Sequence, residues 1–120
     1  MGERLQMTVM PADNKDEASG ILRAIGTDEA GIAIMQEKMI FRVVRIKEVP
    51  LKAAIILKQT FLAKGADAAT SREVAGLTAE TSDVVLMGTL KQYRQAISAL
   101  KAQPFGLKNL ADDLEQILFC

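Results

Sequence analysis

The run Ile40-Phe41-Arg42-Val43-Val44-Arg45-Ile46-Lys47-Glu48-Val49 constrains the fold of this chain more than any other stretch. β-Branched side chains crowd the turns of a helix but fit a pleated strand, so the run predicts a strand. Pro50 closes it, because proline has no N–H to continue a ladder, and the same residue suits the first position of a helix. A helix follows over about Leu51 to Lys64, turning Ala54, Leu57, Phe61 and Leu62 toward a core and stopping at Gly65. Strand leading directly into helix is the opening of an α/β unit.

The same reading extends in both directions. Arg4-Leu5-Gln6-Met7-Thr8-Val9-Met10 alternates apolar Leu5, Met7 and Val9 with polar neighbours, the period of a half-buried strand. Pro11 ends it, and Asp13 or Asn14 caps a helix with Ala18, Ile21, Leu22 and Ile25 on one stripe and Gly26 as its stop. Thr27 is the expected cap of a second helix carrying Ile32, Met35 and Met39. Beyond Gly65, Ala66–Thr70 reads as a short strand, Ser71–Ser82 as a loop, and Asp83–Met87 as a buried strand. Gly88 is a tight turn and Thr89 the cap of a helix with Leu90, Tyr93, Ile97 and Leu100. Gln103-Pro104-Phe105-Gly106 breaks that helix, and Leu107, Leu110, Leu114 and Ile117 form the stripe of a last one.

The expected fold class is α/β, near the α+β boundary. It is a two-layer sandwich with helices packed on a mostly parallel or mixed sheet of about four strands. The link from Ala66–Thr70 to Asp83–Met87 also admits an antiparallel pair. Residues 1–106 read as one domain and 107–120 as a C-terminal amphipathic helix, a connector or an interface. The predicted core comprises Val43, Leu57, Phe61, Val85, Leu86 and Ile97.

Composition excludes several kinds of chemistry. The chain contains no histidine, and its one cysteine, Cys120, is terminal, so neither a zinc site nor a Ser–His or Cys–His pair can be assembled. A lone cysteine forms no internal disulfide, and a reducing cytoplasm is the simplest location. Formal net charge is +0, without the cationic surplus that a nucleic-acid partner requires. Met1–Leu5 lacks the apolar region of a secretory signal, Gly2 lacks the context for myristoylation, and no apolar run can span a bilayer. No metal, cofactor or acid–base carboxylate pair is expected.

Four residues are candidate ligand contacts. Gly88 and Thr89 stand where a strand opens into a helix, and backbone N–H groups there bind anions; the structural reading is a turn and an N-cap. Lys58 can attract a phosphate or carboxylate and Gln59 can hydrogen-bond a ligand edge; the structural reading is a solvated helix face.

The segments Ile56-Leu57-Lys58-Gln59, Leu86-Met87-Gly88-Thr89 and Gln103-Pro104-Phe105-Gly106-Leu107 resemble the N-terminal module that some bacterial dihydropteroate synthases carry before their catalytic barrel. The resemblance runs from about Gly20 to Leu107. It implies an accessory domain of a folate-pathway transferase, cytoplasmic and itself non-catalytic. In such proteins the barrel condenses dihydropterin pyrophosphate with p-aminobenzoate, and its Asn-Val-Thr-Pro-Asp-Ser-Phe loop is absent from this chain. Expected partners are that barrel, in the same polypeptide or a paralogue, and a second copy through Leu107, Leu110, Leu114 and Ile117. The alternative is a free-standing small-ligand or protein-interaction module. Whether the reading frame continues beyond Cys120 into a barrel discriminates the two.

Overall fold

Asn14 begins the first helix by accepting the Glu17 N–H at 2.8 Å, as an N-cap residue does. The computed structural model describes residues 4–78 and 80–119, so the expectations placed on Gly2 and Cys120 lie outside the described residues. Two compact units divide the chain, Met1–Ile40 and Phe41–Cys120. The first contains α1 (Lys15–Ala24) and α2 (Glu29–Met39), with Ala18, Leu22 and Ile32 buried. Gly26, at φ +88°, ends α1 as expected. The cap of α2 is Asp28, one residue after the expected Thr27, and its carboxylate accepts the Gly31 N–H at 3.0 Å. Lys15 pairs with Glu37 and Arg23 with Glu29 across the two helices.

The first predicted strand does not form. Residues 4–10 are irregular, and Leu5, Met7 and Val9 are 84%, 88% and 97% exposed. An alternating pattern states which side chains a strand can bury, but a strand needs a neighbouring edge to exist.

The second unit runs β1 (Phe41–Pro50), α3 (Leu51–Ala63), β2 (Asp67–Thr70), α4 (Arg72–Ala75), β3 (Thr81–Thr89), α5 (Leu90–Leu100) and α6 (Leu107–Phe119). Its sheet has three strands in the order β1-β3-β2, and both pairings are antiparallel. This corrects the expectation of a mostly parallel or mixed four-strand sheet. β1 and β2, joined through α3, do run in one direction, but β3 inserts between them and pairs with both. The physical reason lies in β3, whose Val84-Val85-Leu86-Met87 is apolar on both faces and suits the centre of a sheet.

Alternation sorts each strand onto two faces. Val84 and Leu86 of β3, Ala68 of β2 and the partly buried Val44 and Ile46 of β1 belong to one core with Leu57 and Phe61 of α3 and Tyr93, Ile97 and Leu100 of α5. Leu107, Ala111 and Leu114 extend that core from α6. Of the predicted core, Leu57, Phe61, Leu86 and Ile97 hold. Val43 is 64% exposed and Val85 only half-buried, because each lies one residue out of phase with the buried face. Leu62, predicted buried, is 44% exposed beside the fully buried Phe61.

Candidate functional site

The junction of β3 and α5 is fixed by its own side chains. Thr89 Oγ1 accepts the Gln92 N–H at 3.2 Å, and Gln92 Oε1 accepts the Thr89 N–H at 2.9 Å. This reciprocal capping box satisfies donors that an anion would otherwise meet. Gly88 is not a tight turn: it lies within β3, paired with Arg42, and is buried. A Cβ added there meets the Ala66 Cβ and Gln92 Oε1 at 3.0 Å each, so close packing accounts for the glycine.

The other two candidates turn to different surroundings. Lys58 Nζ donates to the Ala68 carbonyl at 2.7 Å and lies 3.8 Å from Asp67, clamping α3 to β2. Gln59 lines a groove of about 350 Å³ between α3 and α5, with Ile55, Thr60, Ala99 and Gln103. The four residues therefore do not assemble into one site.

Two features escaped the sequence reading. The first is a polar clamp on β1. Asp83 accepts from Arg45 at 2.8 Å and from the Glu48 N–H at 3.0 Å, where Glu48 adopts a positive φ of 54° and the β1–β3 register shifts. The Arg45 hydrogen bond, then the Glu48 N–H, hold the Asp83 carboxyl below its ordinary range. This carboxylate shapes a β-bulge. Only the tertiary register brings Arg45 and Asp83 together, 38 residues apart.

The second is a groove of about 380 Å³ between β1 and α6, lined by Val44 and Ile46 on the strand and Asn109, Leu110, Asp113 and Ile117 on the helix. Ile117 is 66% exposed there, whereas Leu107 and Leu114 are buried in their own unit. The clue in the sequence is β1 itself, which carries apolar residues on both faces, Phe41 and Val43 on one and Val44 and Ile46 on the other.

Tyr93, the only tyrosine, donates its hydroxyl to the Arg42 carbonyl at 3.0 Å, and burial pushes its pKa up to about 12, so it stays protonated at neutral pH. Among the described residues, no cluster of three or more Cys, Asp or Glu is placed to hold a metal, and no helix is long and apolar enough to cross a membrane.

No protein-family model and no solved structure matches the chain. Two curated relatives do. A bifunctional dihydropteroate synthase/dihydropteroate reductase of Helicobacter pylori is 35% identical over 105 residues, covering 88% of this chain and 28% of that protein. A probable bifunctional folylpolyglutamate synthase/dihydropteroate synthase of Halobacterium salinarum is 30% identical over 109 residues, covering 88% of this chain and 13% of that protein. The chain is thus similar to a minor part of two multifunctional folate-pathway proteins.

Proposed function

We propose that this chain is an accessory module of a dihydropteroate synthase-like protein of folate biosynthesis. In this reading it acts in the cytoplasm beside a barrel, in the same polypeptide or a paralogue, that condenses dihydropterin pyrophosphate with p-aminobenzoate. Residues 1–106 form the module proper and 107–120 the connecting helix. Lys58, Gly88 and Thr89 have architectural contacts, and Gln59, on the groove between α3 and α5, stands as the candidate ligand contact of the four. The observation that carries the reading is that both relatives are named for dihydropteroate synthase and match 88% of this chain. The test uses the remainder of the Helicobacter protein, cut free of the stretch matched here and taken as the proposed barrel. The purified chain alone is expected to show no synthase turnover and to bind and stabilise the barrel. Turnover by the chain alone, or no effect on the barrel, refutes the reading.

A second reading is favoured by one relative's name. The Helicobacter protein is named for a reductase as well as a synthase. Setting aside the matched 105 residues, 28% of its length, leaves close to one barrel of about 250 residues. That remainder suits the synthase, and the matched stretch is then where the reductase resides. Such a module binds dihydropteroate and a hydride donor, a nicotinamide or a reduced flavin. Chain-dependent reduction of dihydropteroate with either donor supports this reading over a non-catalytic one; no reduction with either donor, with or without the barrel, eliminates it.

A further inference from the structure

Two unsatisfied features of the molecule complement each other. One is the segment Arg4–Met10, which has strand periodicity yet leaves Leu5, Met7 and Val9 almost wholly in solvent. An apolar alternating segment with no partner is costly to leave in water. The other is β1, an edge strand that pairs with β3 alone among the described residues. Its outer edge offers backbone N–H and C=O groups for a further strand, and of the carbonyls in this stretch those of Phe41 and Arg42 already accept from Arg42 and Tyr93.

The edge is suited to a short guest. From Phe41 to Ile46 the pairing is regular, and beyond Ile46 the Glu48 bulge twists the strand out of register. Arg4–Met10 is one residue longer than that regular part. Beside the edge lies the β1–α6 groove, with Val44, Ile46, Leu110 and Ile117 as its apolar lining. Val44 and Ile46 repeat at the same two-residue spacing as Leu5, Met7 and Val9, so one face of an added strand meets the groove continuously.

We infer that the N-terminal segment Arg4–Met10 of a second copy adds to the β1 edge as a fourth strand, placing Leu5, Met7 and Val9 over the β1–α6 groove. Backbone hydrogen bonds supply the docking and the alternate apolar side chains its register, as in β-strand addition. Each copy carries both segment and edge, so two copies have what a reciprocal exchange in a dimer needs. This inference is independent of the folate reading, since it concerns how copies of the chain associate.

The test compares the intact chain, a chain starting at Pro11, and the variants Val9→Asp and Ile117→Asp, by light scattering across a range of concentrations. Both substituted positions are largely exposed, so neither change removes a core contact. The intact chain is expected to dimerise, the truncated chain to be monomeric, and each variant to weaken the dimer by about tenfold or more, since each sets a charge against apolar surface. A synthetic peptide of residues 3–11 is expected to bind the truncated chain, and not its Ile117→Asp form. An intact chain that is monomeric at every concentration overturns the inference, including the case where hydrogen exchange shows its own segment protected on β1. A truncated chain that dimerises as well as the intact one overturns it equally.

Discussion

Replacing Phe61 by alanine tests the placement of α3 directly. Phe61 has no solvent exposure, and its ring meets Tyr93 edge-on with centroids 5.4 Å apart and planes at 75°. Deleting a buried phenylalanine costs about 3–5 kcal/mol. Roughly 0.5–1.5 kcal/mol of that belongs to the edge-to-face pair. Leu62, the next residue, is 44% exposed. Full burial of a leucine contributes about 1.5–3 kcal/mol, so Leu62→Ala is expected to lose about 1 kcal/mol, offset in part by alanine's better helix propensity. The chain has one tyrosine and no tryptophan, so Tyr93 fluorescence reports on the core of the second unit without interference. Urea unfolding followed by that signal, with the slope held common, converts midpoints into free energies. Phe61→Leu, which keeps the volume largely filled, serves where the alanine variant is too unstable to fold. Equal losses at the two positions, or a larger one at Leu62, refute the packing: α3 must then be turned by one residue, about 100°.

Other expectations follow from single contacts. Gly20→Ala, where an added Cβ meets nothing within 4 Å in the middle of α1, is expected to stabilise the chain by about 0.5–1 kcal/mol, read as a raised melting temperature. Gly88→Ala is expected to destabilise by about 1–3 kcal/mol in the same assay, because its Cβ is driven against Ala66 and Gln92. Thr89→Ala removes the cap of α5 and is expected to cost about 1 kcal/mol by urea unfolding. Asp83 has a folded pKa below its unfolded one, so its contribution is present above the ordinary aspartate value of about 4 and disappears as pH falls through the folded value. Unfolding midpoints measured from neutral pH down to below that value should fall less steeply for Asp83→Asn than for the parent chain; identical slopes refute the clamp.

Much of the fold was legible because local signals agreed with tertiary need. The β-branched run with Pro50, the Asn14 and Thr89 caps, Gly26 and Gly65 at positive φ, and the Leu107–Leu114 stripe each act within a few residues, where the chain's own stereochemistry decides. Sheet direction was not legible. Pro50 and α3 make a crossover between β1 and β2 visible, but nothing local records that β3 enters between them. Face assignment failed at Val43 and Val85 for a related reason: a strand apolar on both sides carries no phase of its own, and the neighbouring helices choose the buried face.

The candidate site divides along the same line. Residue types alone excluded histidine chemistry, since no fold can supply a group the chain lacks. Which polar groups became structural was settled by three-dimensional proximity. Lys58 is committed to the Ala68 carbonyl, Thr89 to Gln92, and Asp83 to Arg45 and Glu48. Each of these ties, apart from the local cap at Thr89, joins residues of different elements. The sequence determined which segments had a face to bury, and the packing determined which face, because burial requires a partner surface that a single segment does not contain.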